Sequence, residues 1–283
     1  MEFSYYPGCS LKGSAKELDD SFCSVSQKLG VTLREIPDWA CCGASSAHMV
    51  DHYLEAALPA NDLMKAERMG RDVVAPCPGC HVRMKAASQR IFKEPELARQ
   101  FPFKGTIKVL SGSDMFSLEG VMQRLKERKV KSLEGLKVVP YYGCLAVRPV
   151  EVVEPDDPEN PVEMDKVLEL LGAEVLSWPY KTDCCGGSLA VTRTDLVVKL
   201  SRKLLDMAKS VGADALVTMC PMCQANLDTR QVDISKAAGR VYQVPILYLS
   251  EVIGLALNDP KAGSWFEKHI VSPKKMLASK GLL

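Results

Sequence analysis

Ten of the eleven cysteines in this 283-residue sequence fall into two sets with the same internal order. The first set is Cys9, then the adjacent pair Cys41 and Cys42 followed by Gly43, then Cys77 and Cys80 in Cys-Pro-Gly-Cys. The second set is Cys144, the pair Cys184 and Cys185 followed by Gly186, then Cys220 and Cys223 in Cys-Pro-Met-Cys. In both halves 34 residues (43–76 and 186–219) separate the pair from the Cys-x-x-Cys. The earlier gap is 31 residues (10–40) in the first half and 39 (145–183) in the second.

Five thiols per set is one more than a tetrahedral structural zinc accepts, and the excess occurs twice. Thiolates are soft ligands that suit iron and sulfide, and several irons can share five sulfurs. Adjacent cysteines rarely aim at one ion, but they can reach different irons of one cluster. The glycine after each pair allows close backbone approach or a positive φ. Structural disulfides are disfavoured by the odd cysteine count and by an N-terminus, MEFSYYPGC, without the features of a secretory signal. A thioredoxin-like dithiol at Cys77/Cys80 or Cys220/Cys223 leaves three cysteines per half unexplained. Cys23 stands apart, beside the apolar face of a helix, and reads as a small buried hydrophobe.

The residues around the cysteines repeat as well, which points to duplication of a whole structural unit. Tyr5-Tyr6-Pro7-Gly8-Cys9 parallels Tyr141-Tyr142-Gly143-Cys144, and Leu29-Gly30-Val31 parallels Leu171-Gly172-Ala173. Each half alternates strand and helix. Ser14 and Glu17 suggest a capping box, followed by Ala15, Leu18, Phe22, Val25 and Leu29 at helical spacing until Gly30. A strand is expected near Val31 to Ile36. A long helix should follow the first pair and reach Met69, with Pro59 breaking or kinking it, and a short buried strand should span Asp72 to Ala75. In the second half Met164, Val167, Leu168 and Leu171 form one helical face, and Leu189, Leu196, Leu200, Leu204, Met207 and Val211 another.

Alternation of this kind predicts an α/β fold: two pseudo-twofold related, Rossmann-like lobes with mostly parallel sheets. Loops at the carboxyl ends of such strands gather ligands, and all three cysteine positions of each half fall there. The expected division is a first lobe with its connector at 1–135, a second lobe at 136–258 and a tail at 259–283. Residues 93–135 read as a non-repeating connector containing a basic helical segment from Met122 to Lys131. Arg148 to Val162 reads as a surface loop beside the second cysteine set. The tail, with Lys261, Lys268, Lys274, Lys275 and Lys280, reads as a solvated end.

Formal net charge is +1 with both signs interspersed, which excludes a polyanion-binding field, so nucleic acid is not an expected partner. No run approaches the roughly 18 apolar residues of a membrane span, and a cytoplasmic location is expected.

Cys…Cys-Cys-Gly…Cys-Pro-x-Cys, present twice, resembles the cysteine-rich CCG domain family, and within it the stand-alone B subunits of heterodisulfide reductase. The resemblance implies two noncubane [4Fe–4S] clusters, held by Cys9, Cys41, Cys42, Cys77 and Cys80 and by Cys144, Cys184, Cys185, Cys220 and Cys223. It further implies one-electron donation from each cluster to a small-molecule or protein disulfide lying between them. The implied partners are a C-like ferredoxin subunit and a flavin-containing A-like subunit. An electron-relay subunit of a flavin dehydrogenase or quinone reductase-like complex is the alternative. A substrate with carboxylate or phosphate groups would call for cations, for which His48, His81, Lys181, Arg148 and Arg193 are candidates. Of these, His81, directly after Cys80, is the expected proton donor.

Overall fold

The computed structural model of the chain describes residues 1–44 and 47–283, without the side chain of residue 48. Strands β1 (Glu2–Tyr5), β2 (Thr32–Glu35), β3 (Val73–Ala75) and β4 (Val109–Ser111) pair in parallel in the order β2-β1-β3-β4. Strands β5 (Lys137–Pro140), β6 (Glu174–Val175), β7 (Ala215–Thr218) and β8 (Ile246–Tyr248) repeat that order as β6-β5-β7-β8. The two-lobe α/β reading is therefore correct. β3 and β7 are buried along their whole length, as parallel strands covered on both faces must be.

The connector is not free of repeats. It contains β4 and the helix Gly112–Ser117, which match β8 and the helix Leu249–Ala256. The match carries no cysteine, and a strand of three residues leaves little periodicity to read. The basic segment forms a helix at Glu119–Arg128.

Leu18, Phe22, Val25 and Leu29 are fully buried along the helix Lys16–Lys28, as the spacing predicts. The capping box does not form. Ala15 is the N-cap, without a side-chain hydrogen bond, while Glu17 is buried close to Glu251 and His269 of the other half. Nor does Pro59 end its helix. His52–Met69 runs through it, capped by Asp51, whose carboxylate accepts from the Tyr53 and Leu54 amides, and terminated by Gly70 at φ 65°.

The lobes pack reciprocally. Lys16–Lys28 of the first lies on Leu249–Ala256 of the second, and Glu163–Leu171 of the second lies on Gly112–Ser117 of the first. Each contact joins the helix after a lobe's first strand to the helix after the other lobe's fourth. A pseudo-twofold axis requires this pairing. At the first contact the Ser21 and Ser250 hydroxyls are 2.7 Å apart, and an added Cβ on Gly254 would lie 2.5 Å from the Trp265 ring.

The C-terminal segment is not a solvated end. Trp265, Phe266, Leu277 and Leu282 are in the core. The Asp228 carboxylate accepts from the Ile270 and Val271 amides at 2.7 and 2.9 Å, and His269 meets Glu251 at 2.8 Å with both side chains fully buried. Lys274 and Lys280 are held in ion pairs with Glu267 and Asp214. Lysine-rich spacing concealed apolar residues whose burial outweighs the solvation of a few charges.

Burial alone would lower the His269 pKa, but the Glu251 carboxylate more than offsets this and holds it above the ordinary 6.5. The pair's contribution to stability is thus fully present below about pH 6.5 and is lost as pH rises through the raised folded-state value. Urea midpoints measured from about pH 5.5 to about pH 9 should fall over that window and show no such fall in Glu251→Gln. His269→Ala should cost ~3 kcal/mol below about pH 6.5, because it strands a buried carboxylate.

Candidate functional site

In the order β2-β1-β3-β4 the connections from β1 and β3 leave in opposite directions, opening a crevice beyond their carboxyl ends. Cys9 follows β1 in the helix Gly8–Lys12, and Cys77 follows β3 as the N-cap of the helix Pro78–Lys93. Pro78 suits the first helical position, where no amide hydrogen is needed, and places Cys80 in the first turn. The second lobe does the same with Cys220 as N-cap of Pro221–Thr229 and Cys223 in its first turn. Cys144 opens a 3₁₀ turn after β5.

The thiols of each set come together. Cys42 Sγ lies 3.4 Å from Cys80 Sγ, Cys41 Sγ 3.7 Å from Cys9 Sγ, and Cys185 Sγ 3.5 Å from Cys223 Sγ. Cys144 and Cys184 lie close enough for each to shift the other's pKa. Each set grades from a buried base, Cys42, Cys77 and Cys80 or Cys185, Cys220 and Cys223, to a rim with Cys9 or Cys184 exposed. Among the described residues, no group of three or more donors is arranged around a single metal ion.

The glycines before the first cysteine of each set leave room for the sulfurs. Gly8 (φ 69°) and Gly143 (φ 71°) have conformations that side chains rarely adopt. An added Cβ would lie 2.8 Å from Cys80 Sγ at Gly8 and 3.0 Å from Cys223 Sγ at Gly143. Gly43 and Gly186, after the pairs, have φ of 75° and 85°, so the expected positive φ is present. Two tyrosines hold the pairs in place. Tyr6 donates to the Ala40 carbonyl at 2.5 Å and Tyr141 to the Asp183 carbonyl at 2.7 Å, in each lobe the residue just before the adjacent cysteines. Trp39 and Trp178 stand edge-on to these rings. The repeated tyrosines before the first cysteine of each set were visible in the sequence, but their role depends on a residue far along the chain.

Where two thiols meet, one holds its proton more weakly and its partner more tightly. Hydrogen bonding from Cys41 lowers the Cys42 pKa, contact with Cys220 lowers that of Cys77, and contact with Cys144 brings Cys184 down to about 6. Cys80 is pushed up, chiefly by the Cys42 thiol. Deprotonated thiols are what metal coordination requires. The closeness of Cys77 and Cys220, each of which shifts the other's pKa, also joins the two sets. Gly112 permits it: an added Cβ there would lie 2.5 Å from Met219 Cε and 3.2 Å from Pro76 Cα, the residues preceding those cysteines. Cys23 belongs to neither set, and burial raises its pKa to about 11.

His81 is buried, with its Nδ1 lacking a partner and its Nε2 4.0 Å from Asp114. The other proposed cations are not available to a substrate. Lys181 is buried on Asp165 at 2.6 Å and on the Pro161 carbonyl, Arg148 pairs with Glu159, and Arg193 pairs with Asp195 at the surface. Closeness to a cysteine in sequence placed them on the right loops, but each has an acid nearer than the site. The His48 side chain lies outside the described residues. The segment 148–162 is not beside the second set alone. It includes the short helix Val150–Val153 and crosses to the first lobe, where Lys85 Nζ donates to the Val153 carbonyl at 2.7 Å.

The family model for the cysteine-rich CCG domain matches residues 3–85 and 138–228. The chain is 31% identical to the 8-methylmenaquinol:fumarate reductase membrane anchor subunit of Wolinella succinogenes, over 97% of this chain and 99% of that one. It is 27% identical to the B subunit of the ferredoxin:CoB-CoM heterodisulfide reductase of Methanosarcina mazei, over 98% and 96%. A protein of Archaeoglobus profundus that is itself like the B subunit of heterodisulfide reductase is 26% identical, over 92% of each chain. A crystal structure of a hypothetical protein from Helicobacter pylori shares the fold, with a TM-score of 0.73 at 10% identity. It aligns with 96% of this chain, which spans about half (52%) of that one. No helix among the described residues is long and apolar enough to cross a membrane.

Gly8→Ala and Gly143→Ala should each disrupt one thiol set and leave the other. Iron and sulfide analysis after anaerobic purification should show less than the wild-type content in each variant, and Cys23→Ser should retain all of it.

Proposed function

The chain belongs to the cysteine-rich CCG domain family, and from that membership we propose that it is the iron–sulfur subunit that reduces, or in reverse forms, a disulfide in a heterodisulfide reductase-like complex. The adjacency of Cys77 and Cys220 at the lobe junction carries this reading, because it lets two equivalent thiol sets serve one two-electron bond.

The donor set fits noncubane [4Fe–4S] clusters: five thiols in each lobe, brought together at one edge of its sheet, with Gly8 or Gly143 leaving space beside the sulfurs. Such clusters, when bound, supply electrons one at a time. Cys9, Cys41, Cys42, Cys77 and Cys80 would hold one, and Cys144, Cys184, Cys185, Cys220 and Cys223 the other. Breaking the S–S bond consumes two electrons and two protons and yields two thiols. Tyr6 and Tyr141 fix the adjacent-cysteine loops, and the buried base of each set keeps water away from the junction. His81 is the proposed proton donor, since it follows Cys80 and is not locked in a hydrogen-bonded ion pair. Electrons would arrive from a ferredoxin-like C subunit and a flavin-containing A subunit.

The Wolinella relative favours a second reading, that of an electron-relay subunit in a quinol-linked complex. Paramagnetic resonance of the oxidised, cluster-loaded protein separates the two. Under disulfide chemistry the spectrum changes on adding thiols, and Cys77→Ser or Cys220→Ser abolishes disulfide reduction while leaving the other lobe's cluster in place. A spectrum indifferent to every thiol, with electrons passing to or from a quinone pool, would establish the relay instead.

A further inference from the structure

The pseudo-twofold axis creates two equivalent clefts between the lobes, and the chain treats them differently. In one, the wall positions are Gln224, Asp228, Ser250 and Glu251. In the other they are His81, Lys85, Ser113 and Asp114, at the same offsets from the Cys-x-x-Cys and from the last residue of β8 or β4. The first cleft is filled by the chain's own C-terminal segment. Glu251 takes the His269 imidazole, Asp228 takes the Ile270 and Val271 amides, and Trp265 and Phe266 pack into the core. Its acidic wall groups are satisfied entirely by hydrogen-bond donors.

The second cleft has no such segment. It remains a cavity of about 610 Å³, roofed by residues 153–156 and 161 and lined by His81, Asp114, Tyr142 and Glu163 among others. That volume suits a small molecule, and a crevice between lobes is a common place for one. Four carboxylates, Asp114, Glu154, Asp156 and Glu163, line it against two lysines. His81 is 3% exposed with Nδ1 unpartnered. Glu163 has its pKa raised by burial and by the nearby carboxylates of Asp114 and Asp156. Of the lysines, Lys85 is engaged with the Val153 carbonyl and Glu154, and Lys108 is exposed. The cavity therefore carries excess negative charge, the opposite of a pocket built for a carboxylate or phosphate.

We propose that this cavity binds the non-reacting arm of the disulfide or thiol substrate, and that the arm ends in an ammonium group. The amine would occupy the carboxylates of Asp114 and Glu163 beside His81, as the C-terminal donors occupy Glu251 and Asp228 in the sealed cleft. His81 directly follows Cys80 and Tyr142 lies two residues before Cys144, so the cavity adjoins the chain segments that carry both thiol sets. The proposal rests on the disulfide reading above.

The test uses the anaerobic, cluster-loaded protein and three thiols of similar size: cysteamine, 2-mercaptoethanol and 3-mercaptopropionate. Calorimetry should rank cysteamine about tenfold or more tighter than 3-mercaptopropionate, as a charge-assisted hydrogen bond in a half-buried site implies. Glu163→Gln should shrink that ratio severalfold. Ser113→Phe, which fills the cavity without removing a charge, should weaken cysteamine while iron content stays normal. Paramagnetic resonance on the same samples reports whether the bound thiol reaches a cluster. Equal affinity for all three thiols, or a preference for 3-mercaptopropionate, would overturn the proposal even if every thiol perturbs the spectrum. A preference for cysteamine with an unmoved spectrum would leave the cavity's ammonium site standing and overturn the disulfide reading and the arm's placement.

Discussion

Everything at this site depends on how closely the carboxyl ends of β3 and β7 approach. Cys77 and Cys220 are the first residues past these two central strands that carry chemistry, and they lie close enough across the lobe junction for each thiol to shift the other's pKa. No single lobe can bring them together. It is set by the reciprocal packing of Lys16–Lys28 on Leu249–Ala256 and of Glu163–Leu171 on Gly112–Ser117, and Gly112 leaves the space for it. A one-carbon side chain at Gly112 would meet Met219 and the Pro76 backbone at once, moving the residues that precede both cysteines.

Within each lobe a second constraint acts on the adjacent cysteines. They sit on irregular backbone after an edge strand, where no ladder fixes them. A tyrosine hydroxyl from the neighbouring strand's end, Tyr6 or Tyr141, takes over by donating to the carbonyl just upstream. A buried phenol needs a partner and a buried carbonyl needs a donor, so one bond satisfies both groups while fixing the loop. The same residues thus serve stability and ligand geometry.

Duplication did not keep the halves alike. The C-terminal segment closes one inter-lobe cleft with Trp265, Phe266 and His269, while the segment 148–162 only roofs the other. The helices that follow the two Cys-x-x-Cys motifs consequently border different surroundings: a filled protein interior at Gln224 and an open cavity at His81.

The sequence by itself determined the duplication, the α/β class and which cysteines stand together, because those properties are written in spacing and in residue type. Apolar periodicity was enough to place the helix of Leu18, Phe22, Val25 and Leu29, since burial of one face is a local pattern. It was not enough for the Val109–Ser111 strand, whose three residues carry no detectable period. Nor could it show that the lysine-rich C-terminus is packed in the core, or that Lys181, Arg148 and Arg193 are neutralised by Asp165, Glu159 and Asp195. Tertiary structure alone decided these matters and the meeting of Cys77 with Cys220. A charge finds its partner, and a sulfur its neighbour, through distances between elements far apart in the chain, which no single stretch of residues encodes.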